Sequence, residues 1–214
     1  MISELEVNFK VTSSHKMDKK PTKGEYLEVL LRSPKTVFST KDVALLWGEG
    51  KARTISMRLN KYAKAGKLIR VRRGFYAKDK NYDRLELATR IYTPSYVSFE
   101  TVLGATGVTF QYYGNYFIAS YINRDIEIDG QRISFVRMKD YVLSNTAGIE
   151  QVDEISKATR ERAFLDRIYV SKKYYFDNLR GMNWDKVFEI LPIYHNKKMT
   201  KTVNKYFEDY KNNK

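Results

Sequence analysis

Residues 51–77 read Lys51-Ala-Arg-Thr-Ile-Ser-Met-Arg-Leu-Asn60-Lys-Tyr-Ala-Lys-Ala-Gly66-Lys-Leu-Ile-Arg70-Val-Arg-Arg-Gly74-Phe-Tyr-Ala77. The first half, roughly Lys51–Ala65, has helical periodicity, and Gly66 after it is placed to close the helix in the left-handed region. The second half reads as a strand from Lys67 to Arg73, a tight turn at Arg73-Gly74, and a second strand at Phe75-Tyr76-Ala77. At 100° per residue, Ala52, Ile55, Leu59, Tyr62 and Ala63 share one helix face, which is expected to pack inward. Arg53, Met57, Lys61 and Lys64 lie on the opposite face, with Thr54 and Asn60 beside them and Arg58 at the flank.

Upstream, Thr22 and Glu25 have the spacing of a capping box, followed by Tyr26, Leu27, Val29, Leu30 and Leu31. This predicts a first helix ending near Ser33-Pro34. Ser39 and Asp42 repeat the cap spacing, and Val43, Ala44, Leu46 and Trp47 give a short second helix stopped at Gly48. Three helices and then a basic hairpin are the layout of a winged helix-turn-helix. In that layout Lys51 and the third helix approach the DNA major groove. Arg53 is placed to read guanine bidentately and Asn60 to pair with adenine. Arg58, Lys61 and Lys64 are expected on phosphates, and Arg70, Arg72 and Arg73 of the wing along the backbone or in the minor groove.

Charge supports the same division. The chain has 214 residues, 39 Lys+Arg against 25 Asp+Glu, a net charge of +14, 43% hydrophobic residues and no cysteine. Residues 1–80 carry 19 basic and 8 acidic residues, whereas residues 81–214 carry 20 and 17. Within Lys51–Lys80 there are 11 basic residues and one acid, Asp79. A basic stretch set on a near-neutral body points to an acidic partner, nucleic acid before a membrane surface. No apolar run reaches membrane-spanning length, and the start of the chain lacks the apolar segment of a signal peptide. The absence of cysteine excludes disulfides and thiolate metal sites and fits a reducing cytosol. Residues 1–21, with Lys16, Lys19 and Lys20, read as an N-terminal arm, although Leu5, Val7, Phe9 and Val11 alternate as a strand would.

Residues 81–214 read as a second, α+β domain: an antiparallel sheet with flanking helices. Helices are expected over Tyr82–Ile91, from Ser98 to Gly107, over Thr159–Ser171, Trp184–Leu191 and Met199–Tyr210. Short strands are expected at Thr93–Val97 and within Gly114–Asn123. Arg124–Met138 should form a hairpin turning at Asp129-Gly130, the strongest hairpin signal in the chain. The aromatic run Phe110, Tyr112, Tyr113, Tyr116, Phe117 and Tyr121 invites base stacking, but no basic residue follows until Arg124, so sheet core or a protein interface is the better reading.

Chemistry-bearing motifs are few. Two histidines, His15 and His195, are too sparse for most metal or nucleophile–base sites, and no phosphate-binding Gly-rich loop appears. Glu49-Gly50-Lys51 and Asp209-Tyr210-Lys211 match half of a metal-dependent nuclease site, but none of the four prolines is followed by the companion aspartate. No catalytic residue, metal or cofactor is expected.

Three stretches in this order resemble a known family: Leu68–Ala77, Pro94-Ser-Tyr-Val-Ser-Phe-Glu-Thr-Val-Leu103, and Ala158-Thr-Arg-Glu-Arg-Ala-Phe-Leu-Asp166. The order is similar to that in the AbiEi abortive-infection antitoxins of type IV toxin–antitoxin systems, over roughly residues 24–170. Thr106 stands where His is usual in the family and Arg160 where Pro is usual. The resemblance implies a prokaryotic, cytoplasmic phage-defence protein whose winged helix represses its own operon at repeats near the promoter in double-stranded DNA. It also implies that the second domain counters a nucleotidyltransferase toxin without a stable complex. Gly74, Tyr76, Ser98, Glu161 and Asp166 carry over as architectural residues, with Ser98 as a helix cap. Two other readings compete: a metal-dependent nuclease targeted by a winged helix, and a plain winged-helix regulator or RNA-binding module without a toxin partner.

Overall fold

A computed structural model describes residues 21–22, 24–171 and 173–212. The expected N-terminal arm, apart from Pro21, lies outside the described residues. The fold is mixed α and β, and among the described residues no helix is long and apolar enough to cross a membrane.

Three helices and a small sheet come first: α1 (Glu25–Arg32), β1 (Val37–Ser39), α2 (Thr40–Trp47), α3 (Ala52–Lys64), β2 (Ile69–Arg72) and β3 (Phe75–Ala77). The Ser39–Asp42 capping box forms in full, satisfying two backbone N–H groups at the start of α2. At α1 only half of the expected box forms: the Thr22 N–H donates to Glu25, while Gly24 caps by position alone. Gly48 and Gly66 both take the left-handed backbone at helix ends, and after Gly66 the Lys67 N–H reaches back to the Tyr62 carbonyl. Tyr26, Leu30, Phe38, Val43, Trp47, Ile55, Leu59, Leu68 and Tyr76 pack into one buried cluster. Its centre is Trp47, fully buried, edge-on to Tyr26 and donating its indole N–H to the Tyr26 carbonyl at 2.9 Å.

The strand β1 was not expected from sequence. It pairs antiparallel with β3, giving the order β1-β3-β2. Cross-strand partners point to one side of a sheet. Phe38 and Tyr76 are paired and face the helices, whereas Val37, Ala77 and Ile69 are paired on the other face. That second face is covered by Tyr82 and Leu87, with Ile91 and Ile128 packed alongside.

Beyond it run α4 (Arg84–Ile91), β4 (Tyr96–Val97), α5 (Phe99–Ala105), β5 (Tyr116–Ser120), β6 (Arg124–Ile128), β7 (Gln131–Arg137), α6 (Asp140–Leu143), β8 (Ile149–Val152), β9 (Ile155–Ala158), α7 (Arg160–Val170), α8 (Trp184–Ile190), a 3₁₀ turn (Leu191–Tyr194) and α9 (Lys197–Asn212). The hairpin at Asp129-Gly130 forms as expected, with Ile128 opposite Gln131 and both turn residues at positive φ. The sheet, however, is mixed rather than antiparallel. Its order is β6-β7-β5-β4-β9-β8, and β5–β7 and β4–β9 pair in parallel. The β5–β7 pairing arises because β6 intervenes as a hairpin partner and returns the chain in the direction of β5.

A buried polar cluster ties α7 to this sheet. Arg162 and Asp166 are both fully buried, one helical turn apart, and pair at 3.2 Å. Asp166 also accepts from the hydroxyls of Ser98, Tyr96 and Tyr194 at 2.7, 3.0 and 2.7 Å. Arg162 donates to the carbonyls of Val142 and Ala147, both at 2.8 Å, and to the Tyr96 hydroxyl at 2.9 Å. Burial and then the Asp166 charge push the Tyr96 and Tyr194 hydroxyls well above the ordinary phenol range, so both remain donors. Burial pulls the Arg162 pKa down, but Asp166 together with the Tyr194 and Tyr96 hydroxyls outweighs it and the net shift is upward. Ser98 precedes α5 by position, yet its hydroxyl serves Asp166 rather than the helix end, which corrects the capping role expected of it. Glu161 accepts from the Asn183 N–H at 3.2 Å. A cluster whose members are satisfied in this way is architectural.

Candidate nucleic-acid interface

The face of α3 opposite the core carries Arg53, Met57, Lys61 and Lys64, all exposed as the wheel predicts, with Met57 at 64%. Ile55 and Leu59 are buried and Tyr62 and Ala63 half-buried, but Ala52 is exposed rather than packed. The helix begins at Lys51 with no side-chain cap and no acid in its first turn. The positive end of its dipole, beside Arg53 and the half-buried Thr54, meets the Glu49 carboxylate, which accepts from the Lys51 backbone N–H at 3.1 Å. Among the described residues, Arg53, Lys61, Lys64, Arg70 and Arg73 form no ion pair.

Two acids of this region are held elsewhere. Glu28 pairs with Arg32 on α1. Asp42 pairs with Lys35 at 2.8 Å and Arg90 at 3.1 Å, and Arg90 continues to Glu86 at 3.2 Å and Glu154 at 3.0 Å. Burial alone would raise the Asp42 pKa. The hydrogen bonds from Lys35 and Ser39 and the charge of Arg90 outweigh it and hold it below the usual carboxylate range. This network joins the start of α2 to α4 and the β8–β9 turn. No local pattern in the sequence signals it, because its members lie up to 119 positions apart.

The hairpin follows α3 after residues 65–68. Its tip is anchored by the Thr40 N–H, which donates to the Gly74 carbonyl at 3.1 Å, so Arg73 stands near the start of α2. A bulge between Arg70 and Arg72 decides which arginine faces α3. Arg70 pairs with Tyr76, on the α3 side, and is exposed. Arg72 pairs with Phe75, on the other side, and its guanidinium sits 6.0 Å from the Tyr92 ring centre, with Arg124 5.9 Å from that same ring. The bulge thus turns Arg72 toward Tyr92 and Arg124 and leaves Arg70 on the α3 side, with Arg73 exposed at the tip near the start of α2.

Two further residues of the expected site are engaged within the fold. Arg58 lies over the Tyr26 ring at 3.7 Å and is half-buried. Asn60 accepts from the Tyr76 hydroxyl at 2.9 Å. Neither is displayed as Arg53 is. Sequence reading also missed Leu45, 82% exposed on α2, which stands beside the half-buried Leu46 in a helix otherwise anchored by Val43 and Trp47. Its exposure is invisible in sequence because α2 is apolar on most sides.

No protein-family model matches this sequence, and no curated protein matches it significantly.

Proposed function

We propose that residues 22–80 form a winged helix-turn-helix that binds double-stranded DNA and represses transcription from its own promoter. We further propose that the chain acts as the antitoxin of an AbiE-like type IV toxin–antitoxin system, residues 81–214 countering a nucleotidyltransferase toxin. The observation that carries the DNA reading is the exposed basic face of α3, whose Arg53, Lys61 and Lys64 form no ion pair among the described residues, with Arg70 of the bulged hairpin on its side. A 13-residue helix presenting Arg53, Lys61 and Lys64 is long enough to lie in a major groove. The antitoxin reading rests on the motif resemblance. The satisfied cluster around Arg162 and Asp166 supports the architectural role that the resemblance gives to Ser98 and Asp166.

Footprinting of the DNA upstream of the gene tests the first part. Protection of repeated half-sites is the expected result, and uniform or absent protection contradicts it. The same reaction run with Mg²⁺ or Mn²⁺ tests the nuclease alternative, because strand cleavage that is lost on mutating a carboxylate contradicts repression as the role. Co-expression with a neighbouring nucleotidyltransferase reading frame tests the second part: growth is rescued if the chain is its antitoxin and stays arrested if it is not.

A further inference from the structure

A groove runs between residues 173–180 and α9 and continues to the loop at residues 109–113. It comprises two adjoining hollows of about 690 and 650 Å³ and a third of about 280 Å³, and Tyr175 lines all three. Tyr175 is 80% exposed, and Phe110, on the wall of the third hollow, is 70% exposed. Large rings left in water in one concave place mark a binding site more often than chance.

The sequence set aside base stacking by the Phe110 run because no basic residue lies near it in the chain. The fold supplies the missing charge. Lys173 stands on one lip of the groove, and Lys201 and Lys205, one helical turn apart on α9, stand on the other. Lys197 extends that row by another turn. Among the described residues none of these four lysines forms an ion pair. The acids Asp177 and Asp209 also line the groove; Asp177 accepts from the Phe110 N–H at 2.7 Å, which fixes the loop carrying that ring. Thr109, 4% exposed, lines the third hollow with a hydroxyl that has no hydrogen-bond partner.

We propose that this groove binds single-stranded nucleic acid. Bases stack on Tyr175 and Phe110, and phosphates lie along Lys173, Lys201 and Lys205. Ring faces and a row of cations together suit a strand whose bases are unpaired, since a duplex keeps its base faces stacked inside. The site is separate from α3 and does not depend on the reading of α3 as a duplex binder.

Fluorescence anisotropy on the full chain with fluorescein-labelled U12 and dT12 tests it. A wild-type log–log salt slope of about −2 is expected from three phosphates on a single strand. Tyr175→Ala should weaken binding on the order of 10-fold. Lys201→Glu with Lys205→Glu should weaken it at least as much. Both variants should melt at the wild-type temperature, because the three side chains are exposed. Arg53→Ala with Lys61→Ala should weaken U12 and dT12 binding less than Tyr175→Ala does. Tighter binding of U12 assigns the groove to RNA and tighter binding of dT12 assigns it to DNA, and either supports the proposal. Three results overturn it: no binding at low salt, binding that follows Arg53 and Lys61 instead of Tyr175, or displacement of U12 by polyglutamate as readily as by unlabelled U12.

Discussion

The Tyr76 hydroxyl donates to the Asn60 amide oxygen across 2.9 Å, tying the second strand of the hairpin to α3. The bond turns a residue that sequence alone offers as an adenine reader into a brace between helix and sheet. Tyr76→Phe should therefore lower stability by about 1 kcal/mol, the usual net worth of such a bond. Asn60→Ala should cost a similar amount and leave discrimination between DNA sequences nearly intact. Urea denaturation beside competition binding checks both; a selective loss of one base pair's recognition in Asn60→Ala would restore it as a reader.

Arg53 and Lys61 should separate in their effects. Arg53→Ala is expected to cost about 1–3 kcal/mol on the preferred site and to relax specificity. Lys61→Ala is expected to weaken all duplexes alike and to make the salt slope shallower by about one. Titrations of both variants at several salt concentrations make the comparison.

Arg58 is expected to act on stability more than on binding. Its guanidinium covers the Tyr26 ring at 3.7 Å, a half-buried contact worth about 0.5–2 kcal/mol. Arg58→Ala should lower the urea midpoint by that amount and shift duplex affinity less than Lys61→Ala does.

How far the sequence was legible follows from the range of each signal. The α3 face and the Asp129-Gly130 hairpin are local, and both came out as read, apart from the exposed Ala52. The partners of Arg58 and Asn60 lie 32 and 16 positions away, at Tyr26 and Tyr76, so no wheel could assign them. The strand β1 has three residues, too few for a period, and exists because β3 offers it an edge. The mixed character of the large sheet comes from pairings such as Val97 with Lys157, which only the assembled fold brings together. The direction of Arg72 is set by a single bulge that no sequence pattern marks, since one extra residue reverses the side on which a side chain falls.

The buried cluster on α7 gives a stability prediction. Asp166→Ala leaves the Arg162 charge without its carboxylate in a fully buried place and should cost about 3–5 kcal/mol. Tyr194→Phe removes one donor to Asp166 and should cost about 1–3 kcal/mol. Thermal melts read both. A near-neutral Asp166→Ala would contradict the architectural role.

Asp42 sets a pH dependence. Its carboxyl titrates below the ordinary range in the folded chain, so its contribution to stability is complete above the unfolded value, about 3.9. That contribution is lost as pH falls through the folded value. Asp42→Asn should be less stable than wild type near neutrality, with the difference shrinking as the pH drops below about 4. Urea midpoints across that interval test it, and a difference that stays constant would contradict the link.

The central claim is that the basic face of α3 and the bulged hairpin recognise a specific duplex. Fluorescence anisotropy with the DNA upstream of the gene, against a scrambled duplex of the same length and composition, tests it most directly. Clear preference for the native sequence is expected and, with about six phosphates neutralised, a log–log salt slope of roughly −5. Equal affinity for both duplexes at every salt concentration would contradict it.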